Sequence, residues 1–282
     1  MSYQPILNKV KNTSFGHPFW TYNPSADTTI IMIHGFRGTH HGLDLIAKNL
    51  TDFKIIVPDL PGFGEAKPLE AEHNLDNYVA WLADFIKGLN LPKPPILLGH
   101  SFGSIVAASY AAKYPETLSS LILVNPIGAP ALEGPKAVLT QLAIFYYWLG
   151  RKLPARPAHR WLASKPTVMI MSITMAKTKD KKLRKFIHNQ HLTHFSSFNN
   201  PAMLAEAFKT SVSNDVRMFA QKIKLPTLLI AGDKDDITPL TKQQSLAKLF
   251  DNAKLIVIKN VGHLTHYETP DQVAQAVKKF IR

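Results

Sequence analysis

Residues 99–103 read Gly-His-Ser-Phe-Gly, directly after the apolar run Ile96-Leu97-Leu98 and directly before Ser104-Ile105-Val106-Ala107-Ala108. That is a strand, a five-residue hinge and a helix. A strand turns into a helix this sharply only where side chains are missing on both sides of the bend, and Gly99 and Gly103 provide that absence. Ser101 is left exposed on a strained turn, in the G-x-S-x-G pattern of a nucleophile elbow. The five letters alone are a common string; the strand-to-helix context gives them weight.

The rest of the chain repeats that alternation. Short β-rich runs occur at Phe19–Tyr22, Thr28–Ile33, Lys54–Pro58 and Leu121–Val124. The later ones are almost wholly apolar, as strands covered on both faces are. Helical patterns separate them at 41–49 and 75–89, where Tyr78, Trp81, Leu82 and Phe85 share a face. The elbow helix runs to about Lys113. Alternating strands and helices imply a parallel sheet with helices on both faces. After Asn125-Pro126 the rhythm stops, and some 90 residues follow without a convincing buried strand. Helices are expected there at 136–149, 167–175, 181–195 and 201–211. The alternation resumes with a strand at 227–231, a helix at 239–250, a strand at 254–258 and a last helix at 271–281.

The balance of charge sharpens this division. The 282 residues carry a formal net charge of +13. The stretch 126–220 holds fourteen Lys and Arg against four Asp and Glu, so ten of those thirteen charges belong to the insert. No nucleic-acid motif accompanies them, and no nucleic-acid partner is expected. A basic surface equally suits an anionic substrate or a membrane face. With no cysteine, disulfides and thiolate metal sites are excluded. Residues 1–10 show neither an uninterrupted apolar core nor a small-residue cleavage site, so no signal peptide is read and a cytoplasmic protein is expected.

A serine hydroxyl is a poor nucleophile without a base, a group that orients the base, and donors for the developing oxyanion. In open α/β sheets such groups gather beyond the carboxyl ends of the strands. The strand ending at Ile230-Ala231 is followed by Gly232-Asp233-Lys234-Asp235-Asp236-Ile237-Thr238-Pro239, which holds three carboxylates. The strand ending at Ile258 leads to Val261-Gly262-His263. The chain order is Ser, Asp, His. A fourth element, Ile33-His34-Gly35-Phe36-Arg37-Gly38, is a glycine-rich loop able to present a backbone N–H to an oxyanion.

With these motifs in order, the chain resembles the α/β-hydrolase superfamily over nearly its whole length. His34-Gly35-Phe36, Asp59–Gly64, Gly99–Gly103, the acidic loop and Gly262-His263 carry the likeness. The resemblance implies the α/β-hydrolase fold, a mostly parallel eight-stranded sheet flanked by helices with an inserted helical cap. The core would be residues 1–125 and 221–282, and the cap 126–220. It implies Ser101 as nucleophile, His263 as base, Asp235 as the acid, and the N–H groups of Phe36 and Phe102 as the oxyanion hole. Asp233 would begin the acidic turn, Asp236 would face outward, and Asp59–Gly64 would be structural. Epoxide hydrolases and haloalkane dehalogenases place aspartate at the elbow, so serine here implies an esterase, thioesterase or carbon–carbon bond hydrolase. No cofactor and no metal are implied.

Candidate pocket residues are Arg37 and His100 beside the elbow, with Tyr146, Tyr147, Trp148 and Met171 in the insert, where aromatic and Met side chains suit an adaptable apolar pocket. Arg37 would meet a substrate carboxylate. His188, His191 and His194 recur at helical spacing but lack the acidic or thiol neighbours of a metal site, and helix packing is the expected role. The basic run Lys177 to Lys185 reads as a solvated face, or else as a contact for an anionic head group or membrane lipid. The expected partner is a small acyl substrate, with peripheral membrane contact open. Two alternatives stand beside the ester or thioester hydrolase: a carbon–carbon bond hydrolase or lyase on the same residues, and a non-catalytic ligand-binding protein of this fold.

Overall fold

The computed structural model describes residues 6–9, 17–129 and 137–282. The expected helix start at Lys136, and residues 1–5 and 10 of the N-terminal stretch read for a signal, lie outside them.

Eight strands form one sheet: β1 (Ile6–Lys9), β2 (Pro18–Tyr22), β3 (Thr29–Ile33), β4 (Lys54–Pro58), β5 (Ile96–His100), β6 (Ser120–Val124), β7 (Thr227–Gly232) and β8 (Ala253–Ile258), in the order β1-β2-β4-β3-β5-β6-β7-β8. β1 pairs antiparallel with β2, and β2 with β4. Every other pairing is parallel, so the elbow strand β5 lies between β3 and β6 near the centre. The loop after β3 is thereby held against the loop after β5.

Strand side chains alternate between two cores. Ile31, Ile33, Ile56, Leu97, Leu121, Leu123 and Leu229 face α2 (Leu75–Gly88) and α3 (Phe102–Lys113). Ile30, Met32, Ile55, Leu98, Ile122, Val124 and Ile230 enter a second buried cluster with residues of α1 (Asp44–Asn49) and of the C-terminal helix Pro270–Ile281. This explains why β3 to β7 read as almost unbroken apolar runs: neither face of these strands meets water.

Between β6 and β7 the described chain is helical: α4 (Ala137–Lys152), α5 (Ala155–Leu162), α6 (Lys165–Met175), α7 (Lys181–His194), α8 (Pro201–Ser213) and the short α9 (Arg217–Ala220). α5 was not anticipated. Its Pro157 sits in the first turn, where a proline loses no intrahelical hydrogen bond. β1 and α9 were too short to register in the sequence pattern. The remaining helices are α10 (Leu240–Ala247), α11 (Thr265–Glu268) and α12 (Pro270–Ile281). Among the described residues no helix is long and apolar enough to cross a membrane.

His73 shows how the insert is fastened to the core. Its Nε2 accepts from the Leu69 amide at 3.1 Å, which leaves Nδ1–H to face the Tyr78 hydroxyl at 2.9 Å. Its carbonyl accepts from Thr210 of α8 at 2.7 Å. Burial pulls its pKa down to about 4, so it folds neutral while the unfolded chain protonates near 6.5. The unfolded state therefore binds more protons as pH falls below about 6.5, and native stability is lost progressively toward pH 4. Denaturant titrations at pH 7.5 and pH 5 are expected to show this fall, and a smaller one in His73→Gln. In the sheet, Leu97→Ala should cost about 2–5 kcal/mol of unfolding free energy by calorimetry.

Candidate active site

The elbow is built on close backbone approach. A Cβ on Gly99 would stand 2.3 Å from the Gly103 carbonyl oxygen, and one on Gly103 would stand 2.4 Å from the Ile33 oxygen. Only glycine fits either place. The chain between them is forced into a turn where Ser101 takes φ 53° and ψ −119°, a conformation costing an L-residue about 1–3 kcal/mol. The Ser101 amide is held by the Val124 carbonyl of β6 at 3.1 Å. The Ser104 hydroxyl donates to the Ser101 carbonyl at 2.5 Å and accepts from the Ile127 amide.

His263 reaches this hydroxyl from the loop after β8, its Nε2 lying 2.8 Å from Ser101 Oγ. Its Nδ1 lies 2.8 Å from Asp235 Oδ2. An ionised carboxylate only accepts, so Nδ1 carries the proton and Nε2 is left to accept from the serine. The carboxylate is further held by the Ile237 and Thr238 amides on Oδ1, at 2.8 and 2.9 Å, and by the Thr238 hydroxyl on Oδ2. Burial works against ionising Asp235, but His263 and these donors outweigh it and keep the carboxyl below the usual range. The other acidic residues of this loop take the places expected from the sequence. Asp233 accepts from the Asn260 amide at 2.6 Å, and Asp236 is exposed and ion-paired with Lys177.

Sequence reasoning missed Asn125. This fully buried residue at the end of β6 adopts φ 44°, and its Nδ2 donates to Asp235 Oδ2 at 2.9 Å and to the Gly262 carbonyl at 3.3 Å. Its Oδ1 accepts from the Thr265 hydroxyl at 2.5 Å. One amide thus joins the loops that carry the aspartate and the histidine. The available signal was a polar residue ending an otherwise apolar run.

The loop after β3 packs directly on the elbow: a Cβ on Gly35 would be 3.1 Å from Ser101 Cβ. Its turn closes with Gly38 N–H donating to the Gly35 carbonyl at 3.0 Å. His34 accepts from the Leu60 amide through Nε2 at 2.8 Å and donates through Nδ1 to the Gly35 carbonyl at 2.9 Å, which ties the loop to the Asp59–Gly64 turn. Phe102 opens α3, so its N–H belongs to the first turn, where amides lack an intrahelical acceptor.

The candidate pocket residues separate. His100 is buried beside the elbow, and its Nε2 meets the His263 carbonyl at 3.3 Å. Burial, with His263 close by, pulls its pKa down to about 3, so it is a neutral prop for the His263 backbone. Tyr147 is buried with its ring 5.7 Å from that of Phe36 and 4.3 Å from that of Phe208. Tyr146 instead donates to the Trp161 carbonyl at 3.1 Å. Met171 is half-buried on α6. Trp148, about 100° further round α4 from Tyr147, is 49 % exposed and stacked on the exposed Phe145. The reading of Trp148 as a pocket wall is corrected accordingly.

Arg37 also differs from its expected place. It is 2 % exposed; Nε donates to the Phe195 carbonyl and Nη2 to the Leu162 carbonyl, each at 2.9 Å, and Nη1 lies 3.4 Å from the Tyr147 hydroxyl. Its charge holds the insert's helix ends against the loop after β3, in place of the expected substrate carboxylate. His188 and His191 share the Ser172 hydroxyl at 2.6 and 2.7 Å, while His194 packs on His41. Two of the three thus converge on one hydroxyl within the insert, and the third packs against the core.

This geometry sits in a chain with many relatives. The sequence profile of the alpha/beta hydrolase fold matches residues 28–270, and the chain belongs to that family. Lipase 1 of Psychrobacter immobilis is 27 % identical over 90 % of this chain and 77 % of its own length. The 1-acylglycerol-3-phosphate O-acyltransferase ABHD5 of Rattus norvegicus is 38 % identical over 94 % of this chain and 82 % of its own. Among solved structures, a thermophilic esterase from Thermogutta terrifontis superposes with a TM-score of 0.77 at 22 % identity, covering 99 % of this chain and 98 % of that one.

Asn125→Gly keeps the backbone's positive φ while deleting the amide that joins Asp235, Gly262 and Thr265. It should lower unfolding free energy by about 1–3 kcal/mol in a denaturant titration, since buried partners lose a hydrogen bond.

Proposed function

We propose that the protein is a serine hydrolase that cleaves carboxylic esters through Ser101, His263 and Asp235. The observation that carries this reading is the continuous pair of 2.8 Å contacts from Ser101 Oγ to His263 Nε2 and from His263 Nδ1 to Asp235 Oδ2. Ser101 Oγ attacks the ester carbonyl carbon as its proton passes to Nε2. Asp235 fixes the tautomer and stabilises the imidazolium. The amides of Phe36 and Phe102 receive the oxyanion, each donor contributing about 3 kcal/mol. The carbon–oxygen bond to the alcohol breaks as Nε2–H protonates the leaving oxygen. Water then attacks the acyl-enzyme, giving its proton to Nε2, and the acid departs as Ser101 recovers its hydrogen.

The helices between β6 and β7 serve as a cap over this site. Arg37 fastens them, and the Phe36, Tyr147 and Phe208 rings form an apolar wall beside the oxyanion loop. Such a wall suits the hydrocarbon of an acyl chain. The Psychrobacter immobilis relative is a lipase, which supports an acylglycerol or similar hydrophobic ester as substrate. A second reading has support from the 38 % identical acyltransferase: an alcohol in place of water would take the acyl group from Ser101.

Ser101→Ala should lower ester turnover by about 10⁶-fold and abolish labelling by a fluorophosphonate. Asp235→Asn should lower it by about 10⁴-fold through the wrong tautomer. A Ser101→Ala variant that kept its activity would overturn the mechanism. Chromatography of products from a monoacylglycerol, with and without 1-acylglycerol-3-phosphate, separates the two readings: free fatty acid marks hydrolysis, and a diacylglycerol phosphate marks transfer.

A further inference from the structure

The large apolar side chains that reach solvent are not scattered. Of eleven among the described residues, seven fall between residues 142 and 173: Leu142, Phe145 and Trp148 on α4, Leu153, Trp161 on α5, and Ile170 and Ile173 on α6. Scattered exposed hydrophobics are ordinary, whereas a concentration marks a surface with a partner. The three helices are pinned together at Tyr146, whose hydroxyl meets both the Trp161 carbonyl and Thr167. Phe145 and Trp148 stack at 5.7 Å, and Lys152 Nζ lies 5.7 Å over the Trp148 ring.

The charges of this region have one sign. From 137 to 179 the sequence has seven Lys or Arg and no Asp or Glu. Arg151, Lys152, Arg156, Arg160 and Lys165 are all exposed. A second copy of the chain would bring like charges together and is disfavoured as occupant. Apolar side chains with exposed tryptophans, fringed by cations, match the boundary between acyl chains and anionic headgroups. We propose that the α4–α6 face of the insert seats the protein on an anionic lipid bilayer. The C-terminal end of α6 lies beside the candidate active site: the Met175 carbonyl is 3.5 Å from where a Cβ on Gly262 would stand, one residue before His263. The docking stands apart from the proposed ester chemistry; only its use, delivery of lipid esters, rests on that reading.

The test is co-sedimentation of the full chain with phosphatidylcholine vesicles, with and without about 30 % phosphatidylglycerol. Binding is expected on the anionic vesicles, about tenfold weaker or more on the zwitterionic ones and at about 0.5 M salt. Of the four tryptophans, Trp20 and Trp81 are buried, so a blue shift in emission and quenching by brominated lipid would report Trp148 and Trp161 entering the interface. The triple variant Leu142→Ser, Ile170→Ser, Ile173→Ser should keep the wild-type thermal melt and lose binding. The proposal fails if wild type does not pellet with anionic vesicles, or if the folded triple variant pellets equally well. It fails also if ultracentrifugation shows a dimer that protects both tryptophans without lipid.

Discussion

The arrangement depends on how closely three pieces of backbone meet at the elbow. With no side chain at Gly99 or Gly103, the end of β5, the start of α3 and the carbonyls of Ile33 and His34 come together. Those contacts hold Ser101 in a conformation it would not adopt alone, and the surrounding sheet and helix supply the free energy that sustains it. The serine then stands at a helix N-terminus and against the glycine turn of the neighbouring loop. The helix N-terminus favours negative charge beside it.

Around that fixed point, the site is assembled from strand ends. β3, β5, β6, β7 and β8 each deliver one part: the glycine turn, the serine, Asn125, the aspartate and the histidine. Parallel pairing puts all five carboxyl ends on one edge of the sheet, the general reason sites collect there. Neutral buried histidines fill the gaps: His34 and His100 serve as hydrogen-bonded spacers whose burial opposes protonation.

The insert joins this edge by two kinds of contact. Arg37 reaches up to the carbonyls of Leu162 and Phe195 at helix ends, where the dipole favours a cation. Glu268 beside the histidine loop accepts from the amides of Lys177 and Thr178, at 2.7 and 3.2 Å. On the insert, Leu142, Phe145, Trp148, Trp161, Ile170 and Ile173 keep large apolar side chains in water, among exposed Arg and Lys residues.

The sequence alone determined the alternating strands and helices, the position of the insert, and the order of serine, aspartate and histidine. Local chemistry carries those features: apolar runs covered on both faces, glycines where nothing larger fits, and polar residues placed after strand ends. Among the three carboxylates of the Asp233–Asp236 loop, it was the resemblance to the family that singled out Asp235, whose Oδ2 lies 2.8 Å from His263 Nδ1. Only the tertiary structure decided which way neighbouring side chains face, and what a polar group meets across a long loop. Tyr147 and Trp148 are adjacent on one helix, and the packing of α4 on α8 buries one and exposes the other. Arg37 reads as a free cation in a glycine-rich loop until carbonyls more than a hundred residues away close over it. Asn125 reads as the place where the strand rhythm ends, and its role exists only once β6, β7 and β8 lie side by side. Periodicity and steric demand are local properties of a chain; hydrogen bonds across such separations form only after the sheet has been ordered.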